Sequence, residues 1–173
     1  MDGTLLDLHF DNLFWLEYLP KRYAEIHQKD HELSRNYLIE RFTVEQGTLN
    51  WYCLDYWSNE LNVDIPALKR EISHMVSVRP FVEEFLQALI NANKQVYLVT
   101  NAHDDSVKIK MEECALQKYF HSIISSHHYK EPKEEQAFWQ HLITDLNFDK
   151  QRTLFVDDSM SVLASAAKFG IGH

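Results

Sequence analysis

From about residue 11 to residue 76, apolar positions recur at close to a helical period. Leu13, Phe14, Leu16, Leu19 and Tyr23 make a first run, with Asp11-Asn12 as its cap, and Leu38, Ile39, Phe42 and Val44 make a second. After a break at Gly47, a third segment runs from Leu49 to Leu61 and carries Trp51, Tyr52, Leu54, Tyr56 and Trp57. Pro66 suits the first turn of a fourth, with Leu68, Ile72, Met75 and Val76 on its apolar side. Nowhere in this stretch do apolar and polar residues alternate as in a half-buried strand, so it reads as a small helical bundle.

The pattern changes at Arg79-Pro80. Pro80 opens a helix with Phe81, Val82, Phe85, Leu86 and Leu89 on one face, followed by Gln95-Val-Tyr-Leu-Val-Thr100, a short β-branched run expected to be a buried strand. Asp104-Asp105-Ser106 can cap a helix ending near Leu116, and His121-Ser-Ile-Ile-Ser125 reads as a weaker strand. A helix is expected from Lys133 to Leu146, a strong strand at Thr153-Leu-Phe-Val156, and a last helix from Ser159 to Gly170. Strands alternating with helices predict parallel crossovers. The expected architecture is an α/β core of residues 1–10 and 77–173, with an all-helical cap of residues 11–76 inserted into it.

Composition narrows the partners. The 173 residues are 45% hydrophobic, enough for a buried core, and the net charge of −9 argues against a nucleic-acid backbone as ligand. An anionic substrate would need local cations, from lysine or a metal. No apolar run approaches the ~20 residues of a membrane span. Cys53 and Cys114 have no metal-like spacing and are too few for a disulfide framework, so the cytoplasm is the default location. The ten histidines include His127-His128, but no pair has the i, i+4 spacing on a firm helix that would suit a zinc site. Nothing in the chain specifies an oligomeric state.

Four elements fall just after strands or strand-like turns, where open parallel sheets place their active sites. Asp2-Gly3-Thr4 is an ordinary turn by itself, although Gly3 lets the chain bend sharply and sets Asp2 toward the crevice. Thr100-Asn101 ends the Val-Tyr-Leu-Val run, where a hydroxyl and backbone N–H groups can hold phosphate oxygens. Lys133, directly after Pro132, can neutralise a phosphoryl group; Lys130 is its nearby competitor. Asp157-Asp158 follows Leu154-Phe155-Val156, and two carboxylates at a buried strand end suit a bound Mg²⁺ better than a mere helix cap. The aromatic group Trp51, Tyr52, Tyr56 and Trp57 reads mainly as packing within the cap, with one or two members free to reach the crevice.

In this order the four elements resemble the motifs of the haloacid dehalogenase superfamily, with a helical cap after the first motif. A closer resemblance, to bacterial purine-nucleotide phosphatases, rests on Met1-Asp-Gly-Thr-Leu-Leu-Asp-Leu8, Thr48-Leu-Asn-Trp-Tyr-Cys-Leu-Asp-Tyr-Trp57, Leu98-Val-Thr-Asn-Ala-His103, Pro132-Lys-Glu-Glu-Gln136 and Thr153-Leu-Phe-Val-Asp-Asp-Ser159. The resemblance implies a Mg²⁺-dependent phosphomonoesterase that acts on purine nucleoside 5′-monophosphates through an aspartyl phosphate. Asp2 would be the general acid/base and would lend its backbone carbonyl to the metal. Asp158 would ligate the ion directly and Asp157 directly or through water, while Thr100, the Asn101 amide and Lys133 would hold the phosphoryl group.

The same resemblance places the nucleophilic aspartate one residue before Met1, and a further core strand at each end of the stretch. The expectation is therefore a piece of a longer enzyme that is inactive as it stands. The competing readings are a metal-free haloacid dehalogenase, which the paired Asp157 and Asp158 disfavour, and a non-catalytic binding relative that lacks the nucleophile.

Overall fold

The computed structural model describes residues 1–173. The first half is helical throughout: α1 (His9–Leu13), a π-helical turn (Phe14–Tyr18), α2 (Leu19–His27), α3 (His31–Glu45), α4 (Leu49–Tyr52), α5 (Leu54–Leu61) and α6 (Ile65–Glu71). The π turn sits just ahead of Pro20, which lacks an N–H and whose ring crowds the preceding turn. Helix α3 begins at Asp30, whose carboxylate accepts from the Leu33 N–H at 3.0 Å; Asp64 does the same for α6 through the Ala67 N–H at 2.9 Å. The expected third helix is two helices, because Cys53 leaves helical geometry and its sulfur accepts from the Tyr56 N–H at 3.4 Å. Helicity also begins at His9, ahead of the Asp11-Asn12 cap read from the sequence: Asp11 lies inside α1 and its carboxylate is drawn inward.

One hydrophobic cluster is drawn wholly from this half. Phe10, Phe14, Leu38, Phe42, Leu54 and Trp57 are its larger members, and Trp57 meets Phe42 edge to face at 5.0 Å.

The second half alternates: α7 (Val82–Asn91), β1 (Tyr97–Thr100), α8 (Asp104–Cys114), β2 (Ser122–Ser125), α9 (Gln136–Leu146) and α10 (Met160–Phe169). Strands β1 and β2 are parallel, with Leu98 opposite Ile123 and Thr100 opposite Ser125. Side-chain alternation sends Leu98 into a cluster with Leu86, Val107 and Leu116, whereas Tyr97 and Val99 pack on the other face with Phe138, Trp139 and Phe169. Helices thus cover both faces, as parallel crossovers require. The chain joins its two halves through the first turn: the Asp7 N–H donates to the Ser77 carbonyl at 3.0 Å, and the Arg79 N–H to the Leu5 carbonyl at 2.9 Å.

Two expectations need correction. Thr153–Val156 is not a ladder strand; the sheet has only β1 and β2. The segment packs a half-buried Phe155 against Trp139 and leaves Leu154 and Val156 exposed, and its Phe155 N–H donates to the His173 carbonyl at 2.9 Å rather than to a strand of the sheet. A β-branched run becomes a strand only where a partner takes its backbone groups. Helix α9 also starts later than expected, at Gln136, so Lys133 lies in the turn before it. No helix is long and apolar enough to cross a membrane.

Candidate active site

The end of β1 sets one wall of the site. Thr100 is buried, and its hydroxyl oxygen accepts from the Ala102 N–H at 3.1 Å, which bends the chain off the strand. Asn101 clips the 131–135 loop to this corner. Its Oδ1 accepts from the Lys133 N–H at 2.9 Å, and its Nδ2 donates to Glu134 Oε2 at 2.9 Å. Lys133 also gives its carbonyl to Trp139 Nε1 at 2.9 Å, which seats the loop on the α9 core.

Held this way, Lys133 is 5% exposed and its ammonium donates to Asp157 Oδ2. Lys130, by contrast, lies exposed on a backbone with φ of 57°. Asp157 serves two ends at once, because its Oδ1 accepts from the Ser159 N–H at 3.0 Å and so caps α10. The Ser159 side chain makes no cap bond.

Asp158 meets the first turn. Gly3 has φ of 71°, and a Cβ built on it would lie 2.0 Å from Asp158 Oδ2, so only glycine lets that carboxylate come so near. Thr4 Oγ1 donates to Asp158 Oδ1 at 3.3 Å. Met1 is buried, and its backbone nitrogen lies within electrostatic range of Lys133, Asp2, Asp157 and Asp158. The charged residues read from the sequence therefore gather around this one nitrogen.

The Asp2 side chain has a partner that the sequence did not disclose. Lys110 of α8 is buried and donates to Asp2 Oδ1 at 2.7 Å and to Asp11 Oδ2 at 2.6 Å. Lys69, equally buried on α6, donates to Asp11 Oδ1 at 2.9 Å and lies 4.5 Å from the Phe14 ring centre. Burial works against both ammonium groups. At Lys69 it prevails and lowers the pKa, whereas at Lys110 the carboxylates of Asp2 and Asp11 prevail and raise it. Burial alone would raise Asp11, but Lys110 and then Lys69 hold it down to about 2. Lysines on helices ordinarily point to solvent, and no spacing rule marks these two.

From the helical half, Tyr52 reaches across. Its hydroxyl donates to Glu134 Oε1 at 3.5 Å, beside the Asn101 amide, and burial raises its pKa. Trp51 instead packs edge-on to Phe42 at 6.2 Å, with its carbonyl accepting from Trp57 Nε1 at 3.1 Å. A hollow of about 590 Å³ lined by Lys21, Glu25 and Lys29 lies on the outer helical surface and shares no residue with this site.

The donor set suits a hard cation. Asp157 and Asp158 supply carboxylate oxygens, and Gly3 lets the Asp158 carboxylate lie where a Cβ would otherwise stand, against the first turn. Oxygen ligands with one or two carboxylates match Mg²⁺, which keeps several waters and bridges to phosphate.

Comparison with known proteins shows the family. The haloacid dehalogenase-like hydrolase family matches residues 1–173. The GMP/IMP nucleotidase YrfG of Escherichia coli strain K12 is 39% identical over 173 residues, which is all of this chain and 78% of that protein. A haloacid dehalogenase-type phosphatase of Thermococcus onnurineus superposes with a TM-score of 0.86 at 18% identity, covering 99% of this chain and 80% of that one. The L-2-haloacid dehalogenase of Xanthobacter autotrophicus, with chloropropionic acid covalently bound, superposes with a TM-score of 0.64 at 14% identity, covering 98% and 72%.

Proposed function

This chain belongs to the haloacid dehalogenase-like hydrolases, and on that premise we propose that the protein is a phosphomonoesterase acting on purine nucleoside 5′-monophosphates. The observation that carries the reading is the buried Lys133–Asp157 pair, clipped to the end of β1 by Asn101 and overlooked by Tyr52 from the helical half. A cation fixed beside paired carboxylates is suited to a dianionic group that arrives with its own charge to be neutralised. The substrate class follows the 39% identity to a protein named as a GMP/IMP nucleotidase.

In this reading residues 1–10 and 77–173 form the catalytic core and residues 11–76 a cap that excludes water and receives the nucleoside. Asp158, Asp157 and the Asp2 carbonyl would hold Mg²⁺, which would supply a second positive centre for the phosphoryl charge. Lys133 neutralises the phosphoryl oxygens, with the Thr100 hydroxyl and the Asn101 backbone N–H as further donors, since the Asn101 side chain is committed to Lys133 and Glu134. By the family resemblance, the attacking carboxylate would be an aspartate ahead of Met1 and would form the aspartyl phosphate. Asp2 gives a proton to the departing nucleoside oxygen and then takes one from the attacking water. Lys110 binds one of its oxygens and leaves the other for this exchange.

The test is a panel of 5′-monophosphates offered to the full-length protein, with released inorganic phosphate as readout. GMP and IMP should surpass CMP and UMP in kcat/KM by at least about tenfold, a difference of about 1.4 kcal/mol in transition-state binding. Equal turnover of all four removes the purine assignment.

A further inference from the structure

Beside the phosphate corner, three elements that are distant in sequence bring soft and borderline metal ligands together. Cys53 lies in the break between α4 and α5, His103 at the start of α8, and His127 in the turn after β2. The Cys53 sulfur and one ring nitrogen from each histidine all lie within 4.8 Å of one another. A tetrahedral zinc ion with bonds of about 2.3 Å to sulfur and about 2.0 Å to nitrogen sets its ligand atoms about 3.3–3.6 Å apart. Side-chain rotation covers that difference. The two imidazoles meet nearly perpendicular, with ring centres 5.0 Å apart.

His127 makes the second, independent observation. Its Nε2 is buried and has no hydrogen-bond partner. A buried ring nitrogen without a hydrogen-bond partner is free to ligate a metal ion when it is unprotonated. Burial, and then His103, lower its pKa, which keeps the ring neutral and its lone pair available. Both His103 nitrogens have neighbours, the Asp105 N–H at 3.4 Å from Nδ1 and Asp55 Oδ2 at 3.5 Å from Nε2, so an ion bound by His103 takes the place of one of them.

We infer that Cys53, His103 and His127 form a binding site for one zinc-class divalent ion, separate from the oxygen-donor site at Asp157 and Asp158. Thiolate and imidazole favour zinc over Mg²⁺, so the two sites select different ions from one solution. The thiol proton passes to solvent as the ion binds. Three protein ligands leave a fourth position for water or for a nitrogen or oxygen atom of the substrate. Because Cys53 comes from the helical half and both histidines from the α/β half, the ion staples the two together over the Asn101–Lys133 corner.

The full-length protein, freed of metal by a chelator, is titrated with Co²⁺ as a spectroscopic stand-in and then with Zn²⁺ against a chromophoric chelator. The parent should show a thiolate-to-cobalt charge-transfer band that saturates at one ion per chain and is erased by one equivalent of zinc. Cys53→Ser and Cys53→Ala should abolish the band, and His127→Ala should weaken zinc binding by about 100-fold, the scale on which a metal site loses affinity when its support is removed. Cys114→Ser should change neither. Zinc should raise the thermal midpoint of the parent and leave that of the Cys53 variants unmoved. Absence of the band in the parent, its survival in both Cys53 variants, or equal zinc affinity in parent and His127→Ala overturns the site.

Discussion

Lys110 Nζ donates to Asp2 Oδ1 at 2.7 Å from a position 2% exposed, and the same ammonium donates to Asp11 at 2.6 Å. The carboxylate proposed as acid/base is thereby tied to a buried cation on α8. Lys110→Met keeps most of the volume and removes the charge. We expect kcat on GMP to fall about 10- to 100-fold with KM changed less than about twofold, the signature of lost positioning in the transition state. Steady-state kinetics of the full-length variant checks this, and an unchanged kcat removes Lys110 from the account.

Asp11 carries the stability of that network. Asp11→Ala leaves Lys69 and Lys110 buried with one carboxylate fewer, and breaking such a pair costs about 3–5 kcal/mol. Its pH dependence has a definite sign. The folded-state pKa of about 2 lies below the ordinary carboxylate value of about 3.9, so the Asp11 contribution is complete above about pH 4 and is lost as pH falls toward 2. Urea denaturation at pH 6 and at pH 3 should show the parent losing more stability than Asp11→Asn over that interval. Parallel losses would place the acid sensitivity elsewhere.

Much of this was legible in the chain, and the failures share a physical cause. The helical period before residue 76 and the apolar run before Thr100 are local signals, and both became the expected elements. Thr153–Val156 carries the same local signal but lacks a pairing neighbour, and pairing is not encoded in the run itself. Lys69 and Lys110 read as solvated helix positions because their partners, Asp2 and Asp11, lie up to 108 residues away. Cys53, His103 and His127 fit no spacing rule for the same reason: a ligand set assembled from three elements leaves no trace in local sequence.

Gly3 offers a sharp test of the first turn. Gly3→Ala must accommodate a methyl 2.0 Å from the present position of Asp158 Oδ2, on a backbone with φ of 71°. The carboxylate is the flexible member and should swing away, while the left-handed backbone costs a further ~1 kcal/mol. The half-maximal Mg²⁺ concentration for activation should rise at least about tenfold, or about 1.4 kcal/mol in ion binding. An unaltered Mg²⁺ activation curve would mean that Asp158 takes no part in holding the ion.

The most direct test of the central claim is inorganic phosphate release from GMP by the full-length protein, with Mg²⁺ present, removed by chelator and restored, in the parent, Asp158→Ala and Lys133→Ala. The account predicts turnover that stops on chelation and returns with Mg²⁺. It predicts no metal-restored rate in Asp158→Ala, and in Lys133→Ala a loss of about 3 kcal/mol of transition-state stabilisation, or about 150-fold in rate. Phosphate release indifferent to chelation, or chloride release from 2-chloropropionate in place of phosphate release from GMP, would contradict it.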